Sequence, residues 1–298
     1  MKTLIYDRQI KKAIEENAFK VSGLLFLYQT KTGKTLMNLI LKWRFISVLY
    51  GRFMKSKRSL KQIPVFIKHY NIDLKEIKNP LDTFKSFNDF FIRELKSGSR
   101  PIDHQPEHLI SPADSRLFVF PIDQAVSFPV KGYWYHLDQL VRDKELAAAY
   151  EGGWCFIYRL APSDYHRYNY IDNGSQEKVI TLNGVLHSVN PIALKEVSNI
   201  MAKNYRELTI LKTENFGEVV HIEVGALFVG KVVQRFQNAY DFKRGEEKGW
   251  FEFGGSTVIQ LFKKGTILPD SDILEQSQKG IEVLVKLNEK VGLKNSLL

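Results

Sequence analysis

The run Trp250-Phe251-Glu252-Phe253-Gly254-Gly255-Ser256-Thr257-Val258-Ile259 places two glycines and two hydroxyl residues inside an apolar, strand-like stretch. Glycine weakens a strand and marks a bulge or a close backbone approach. The pair also has a chemical use. A serine preceded by glycine can swing its Oγ onto the preceding carbonyl, replacing the Gly255–Ser256 amide with an ester. β-Elimination then cuts the chain, and hydrolysis of the new N-terminal residue leaves a pyruvoyl group, an electrophilic ketone that no encoded side chain supplies. On spacing alone, a plain glycine bulge is the more economical account.

Such a cleavage needs a base, a group that orients it and donors for the oxyanion. Two loops offer them. Ser111-Pro112-Ala113-Asp114-Ser115 holds a carboxylate in a tight turn before a strand, where an aspartate also serves as an ordinary turn cap. Ala161-Pro162-Ser163-Asp164-Tyr165-His166-Arg167-Tyr168-Asn169 follows an apolar strand and brings His166, whose ordinary pKa lies near neutrality. Read singly, His166 is an unremarkable structural or surface histidine.

The elements that must carry these loops fall into two parts. Residues 1 to about 100 have helical periodicity, ended by Ser97-Gly98-Ser99-Arg100-Pro101. From Leu109 onward β-rich runs are expected at Leu117–Ile122, Trp154–Leu160, Lys178–Val189, Leu208–Lys212, Val219–Val224, Leu227–Phe236 and Val258–Phe262, with one short helix over Asp143–Glu151. The fold class expected is α+β, a basic helical region (1–105) followed by a mostly antiparallel, sandwich-like β domain (106–298).

Composition narrows the class. The 298 residues, 44% hydrophobic and 26% charged, suit a globular chain with a sizeable core. The single Cys155 excludes an internal disulfide and sits in an apolar run, as a core residue would. The first residues lack the apolar run of a signal peptide, and no 18 consecutive apolar residues predict a spanning helix.

The net charge of +10 is concentrated: Asn17 to Ile72 contains eleven lysines or arginines and no acidic residue. Such a segment seeks a polyanionic surface. A helical wheel over Leu36–Phe53 puts Leu36, Leu39, Ile40, Trp43, Ile46, Tyr50 and Phe53 on one stripe, flanked by Lys42 and Arg44. Arg52 opens the cluster Arg52-Phe53-Met54-Lys55-Ser56-Lys57-Arg58. This pattern favours an anionic membrane surface. An ordinary helix with a solvated basic face is the plainer alternative, and no nucleic-acid motif is present.

Together the segments resemble the phosphatidylserine decarboxylase family of pyruvoyl enzymes. The resemblance runs from about Phe84 to the C-terminus. It rests on Phe87-Asn88-Asp89-Phe90-Phe91-Ile92-Arg93, Ser111-Pro112-Ala113-Asp114, Asp164-Tyr165-His166-Arg167 and Val189-Asn190-Pro191. Glu223-Val224-Gly225-Ala226 and the approach Lys243–Gly249 to Gly254-Gly255-Ser256-Thr257 follow in the same order. The resemblance implies cleavage between Gly255 and Ser256, giving a β chain (1–255) and an α chain (256–298) headed by a covalent pyruvoyl group, with no metal. It implies that Asp114 is the acidic member of the relay that activates Ser256 and that His166 assists decarboxylation. The pyruvoyl group would form a Schiff base with phosphatidylserine, releasing carbon dioxide and phosphatidylethanolamine. Implied partners are an anionic phospholipid membrane, the substrate lipid and the chain's own two fragments, and a homodimer is compatible with them. The implied location is peripheral, on the cytoplasmic side of the cell membrane.

Two positions depart from the family pattern. The second histidine of the Tyr-His-Arg-x-His loop is Asn169, which cannot accept a proton near pH 7, and the glycine after the relay aspartate is Ser115. His187 is a candidate replacement base, with a packed strand histidine as its plain alternative. A non-processing, catalytically silent membrane-binding relative is one rival. A decarboxylase of a soluble amino acid is another. A serine hydrolase would want a G-x-S-x-G elbow, which is missing.

Overall fold

The computed structural model describes residues 3–16, 21–42, 44–124, 127–130, 133–227, 231–254 and 256–296; at 21, 40–42, 44–48, 128–130 and 133–134 it describes the backbone alone. Its centre is an eleven-stranded sheet. The core of that sheet runs Arg206–Thr213, Gly217–Gly225, Ser256–Phe262, Trp154–Leu160 and Ser115–Pro121, each antiparallel to the next. All seven residues of Ser256–Phe262 are buried, with a strand on either side.

Strand alternation sorts the residues of this sheet into two cores. Val258 and Phe262 face one cluster with Phe156, Tyr158, Tyr168 and Phe251. Ile259 and Leu261 face the other, with Cys155, Ile157, Ile222 and Val224. Ser256 shares the parity of Val258, so its side chain faces the first cluster. Against that face lies a small sheet of Val232–Gln234, Glu247–Phe251 and Arg167–Asn169.

The β-rich expectation from Leu109 onward holds, and Trp154–Leu160 has the expected bounds. Lys178–Val189 is largely irregular, with only Ile180–Leu182 as strand. The helix near Asp143 spans Lys144–Ala148, capped by the Asp143 carboxylate.

The N-terminal region is helical from Val21 onward, but Leu4–Asp7 and Lys12–Glu15 form a hairpin on the edge of the large sheet. Leu4–Asp7 pairs in parallel with Glu282–Val285. The strands are four residues long and only Ile5 is buried, so their periodicity is too weak to read locally. The expected single stripe over Leu36–Phe53 divides between two helices, Lys31–Lys42 and Arg44–Met54. Trp43 lies outside the described residues, as do the side chains of Ile40, Lys42, Arg44 and Ile46. Leu36, Leu39 and Phe53 are exposed, while Tyr50 packs 5.9 Å from the Phe253 ring. No helix among the described residues is long and apolar enough to cross a membrane.

Phe87–Phe91 bridges this region to the sheet. Ser86 Oγ accepts the Asp89 N–H at 3.1 Å, and the Asp89 carboxylate accepts Lys85 N–H at 2.9 Å, a reciprocal start for so short a helix. Phe87 and Phe91 then stack edge-on against Phe253, at 5.2 and 5.1 Å, directly ahead of the glycine pair.

Candidate active site

Ser256 begins the central strand, opposite Leu160 on one side and Gly225 on the other. It is fully buried, and its Oγ has no hydrogen-bond partner among the described residues. A buried hydroxyl without a partner carries a desolvation cost of about 1–3 kcal/mol. Gly254 has φ +145°, a conformation open to glycine and strained for other residues. The first glycine is therefore a backbone requirement. Gly255 lies outside the described residues.

A cavity of about 740 Å³ borders Gly254. Its wall is mainly apolar, with Leu24, Leu27, Val65, Phe66 and Phe253, while Glu16, Arg159 and Asn190 supply polar groups.

His166 is fully buried, its ring 4.0 Å from Phe91. Nδ1 lies 2.9 Å from the Asp164 carbonyl oxygen. A carbonyl only accepts, so Nδ1 carries the proton and Nε2 presents its lone pair. Nε2 has no partner among the described residues. Burial, with Arg93 and Arg116 nearby, lowers the pKa to about 3, so the ring is neutral across the physiological range. Asp164 is held by Arg116 and accepts the Ala161 N–H at 2.7 Å.

Asp114 is nearly inaccessible. Arg100 donates to both its oxygens at 2.8 Å, the Leu287 N–H adds a third bond at 2.8 Å, and Lys286 Nζ stands 3.7 Å away. Burial alone would raise its pKa, but Arg100 and Lys286 hold it below the ordinary aspartate value. Asp114 is thus a fixed anion. Ser115 is buried and is not in the left-handed region, so serine fits the turn without strain.

Asn169 packs beside that turn. Its N–H donates to Pro112 at 2.9 Å and its amide to the Gly245 carbonyl at 2.7 Å, and Asn288 Oδ1 lies 3.4 Å away. The structure therefore gathers Asp114, Asn169 and His166 around the 161–169 loop. No hydrogen bond joins Ser256 Oγ to any of them. His187 has its backbone tied to Asn204 and Leu227, and its Nδ1 has no partner among the described residues. Burial lowers its pKa to about 4.

Two features escaped sequence reasoning. Arg93 is buried with Nε and Nη1 unpartnered among the described residues; its Nη2 makes one long bond, 3.4 Å, to the Ser163 carbonyl. Its electrostatic neighbours are Asp114, Tyr165 and Asp164. A buried guanidinium with unused donors is costly unless an anion meets it. Its only sequence signal is a cation following the aromatic run Phe87–Phe91. Second, Lys248, fully buried, donates to Glu223 at 2.6 Å and Gln234 at 2.8 Å, with His221 Nε2 3.2 Å from Glu223. This polar layer fills the space between the two sheets behind the serine strand. Among the described residues no group of three or more His, Cys, Asp or Glu could hold a metal.

The β-rich body thus carries Ser256 at the head of a buried strand, two residues after Gly254 on the wall of an apolar cavity. The profile described as phosphatidylserine decarboxylase matches residues 87–293. The phosphatidylserine decarboxylase proenzyme of Clostridium perfringens is 43% identical over 291 residues, covering 97% of this chain and 99% of that protein. That of Clostridium novyi is 43% identical, covering 98% and 97%. Proenzyme 2 of Clostridium acetobutylicum is 42% identical, covering 99% and 100%. The chain belongs to the phosphatidylserine decarboxylase family, whose members are pyruvoyl-dependent carboxy-lyases.

Proposed function

We propose that this chain decarboxylates phosphatidylserine after breaking its own Gly255–Ser256 bond. The observation that carries the reading is the Ser256 hydroxyl, buried and without a partner among the described residues, at the head of a strand whose approach, Phe253-Gly254, lines the apolar cavity.

The residues present fit a serine-derived pyruvoyl group. Ser256 Oγ has no hydrogen bond among the described residues to surrender before it attacks. As Oγ bonds to the Gly255 carbonyl carbon, the C–N bond breaks and residue 256 gains a free amine. Loss of the Cα proton of residue 256 expels the Gly255 carboxylate. Water then displaces ammonia, leaving the ketone. Asp114 supplies fixed negative charge to this process. Asn169 cannot be its base, so the proton passes to the buried His166 or the half-buried His187, each with a ring nitrogen that has no partner among the described residues.

The pyruvoyl group supplies an electron sink, a ketone conjugated to an amide carbonyl, which takes up the electrons left as carbon dioxide departs. His166, held by its Nδ1–H, moves a proton at the substrate Cα through Nε2. Arg93 offers its two free donors to the headgroup phosphodiester. Pairing with the substrate carboxylate would stabilise the group that must leave. The apolar cavity admits the lipid and excludes water.

Membrane contact belongs to the same reading. Leu39 (52% exposed), Leu49 (54%) and Val65 (57%) stand out in the same N-terminal region that carries Lys55, Lys57 and Lys61. Each basic residue near an anionic lipid surface adds roughly 1 kcal/mol. In this reading the chain docks on the cytoplasmic side and takes its substrate through the cavity.

Asn169, with its amide committed to Gly245, favours one second reading: an uncleaved, silent relative that binds membranes. Intact-mass measurement decides. Fragments of 1–255 and 256–298, the smaller without an amine terminus and reactive with hydroxylamine, uphold the decarboxylase. A single 34.5 kDa species after incubation with anionic liposomes overturns it.

A further inference from the structure

Arg116 and Arg159 face each other across two neighbouring strands as direct register partners. Like charges in that position repel, and both are nearly inaccessible to solvent. Glu16 resolves the conflict. Its Oε1 lies 2.8 Å from Arg116 Nε and its Oε2 3.0 Å from Arg159 Nη2. Arg159 also pairs with Glu282 at 2.6 Å, and Arg116 pairs with Asp164.

The chain of contacts ends on the catalytic imidazole. Arg116 holds the Asp164 carboxylate, which also caps the Ala161 N–H at 2.7 Å, and the Asp164 N–H donates back to the Ala161 carbonyl at 2.9 Å. The turn is closed at both ends. Its Asp164 carbonyl receives the His166 Nδ1 proton at 2.9 Å. Arg159 is in turn the register partner of Thr257, the residue after the cleavage serine. Glu16 and Arg159 both line the cavity.

We propose that Glu16, which follows the N-terminal hairpin, is a positioning residue for His166: through Arg116 and Asp164 it fixes the ring's tautomer and direction. This rests on the decarboxylase reading for its kinetic consequence only, since the tautomer is a property of the uncut chain too. Without Glu16, Arg116 and Arg159 lose their shared anion and separate. Arg116 draws Asp164 with it, and the carbonyl that selects Nδ1–H shifts. The N-terminal hairpin is thereby part of the catalytic support.

The first test uses Glu16→Gln in the full chain, with phosphatidylserine in detergent micelles and rates expressed per pyruvoyl group titrated by hydroxylamine. The expected result is a fall in kcat of roughly 10- to 100-fold, the scale of misplacing a reacting group by about 1 Å, with KM little changed. In a His166→Gln background Glu16→Gln should bring no further loss. A wild-type kcat, an equal further loss in the His166→Gln background, or an effect confined to KM would each overturn the proposal. The second test is independent of maturation. In Ser256→Ala protein, ¹⁵N shifts of the histidine rings should report Nδ1–H for His166, and adding Glu16→Gln should convert it to a mixture of tautomers. An unchanged His166 signal overturns the proposal even where Glu16→Gln blocks cleavage.

Discussion

Arg100 grips Asp114 with two parallel bonds of 2.8 Å, and the same guanidinium reaches Glu76 at 3.0 Å. Asp114 is thereby an anion clamped in place, not a group waiting to take a proton. Replacing Arg100 with Met leaves that carboxylate buried with only Lys286 and a backbone donor. The expected cost is about 3–5 kcal/mol of stability, read as a lowered urea midpoint, together with slower release of the 256–298 fragment.

Asp114 also sets an acid limit. Its folded pKa is depressed by Arg100 and Lys286 against the opposing effect of burial. Its contribution is therefore present above the unfolded pKa, about 3.9, and is lost as pH falls through the lower folded value. The stability difference between wild type and Asp114→Asn should be full at pH 7 and shrink below pH ~4. A gap independent of pH would contradict this.

His166 titrates with the opposite consequence. Burial lowers its folded pKa to about 3, whereas the unfolded ring titrates near 6.5. Between those values the unfolded chain binds the extra proton, so this histidine costs stability as pH falls from about 6.5 toward 3. His166→Phe should flatten the stability–pH curve over that window. It should also reduce decarboxylation by roughly 10²–10⁴-fold per pyruvoyl group, the contribution of a lost acid–base group.

Asn169→His restores an imidazole beside the Asp114 turn. Where the base limits maturation, the cleavage rate measured by intact mass should rise by roughly 10²–10⁴-fold. The lost amide bond to Gly245 should cost about 1 kcal/mol. An unchanged cleavage rate would assign the proton transfer elsewhere, with His187→Phe as the next variant.

Cleavage should not release the small fragment. Ser256–Phe262 is paired on both sides, and Glu282 in the same fragment is bound to Arg159. The two chains should co-elute under native conditions, at the mass of one pair or of a homodimer, and separate only in denaturant.

Residue order alone carried the family and much of the local structure. The glycine-serine junction, the Asp114 turn and the His166 loop are contiguous signals. Trp154–Leu160 and Val258–Phe262 declare themselves by mainly apolar character, and the structure extends the second back to Ser256. Tertiary structure alone decided what each polar group does. That Asp114 belongs to Arg100, that Lys248 neutralises Glu223, and that Glu16 joins two arginines, one of them 143 positions away, depends on strand register and on the parallel pairing of Leu4–Asp7 with Glu282–Val285. Periodicity reports which face a side chain takes, because it arises from neighbouring residues. The partner of a buried charge is set by the packing of distant elements, where the low dielectric makes each pairing strong and each omission costly.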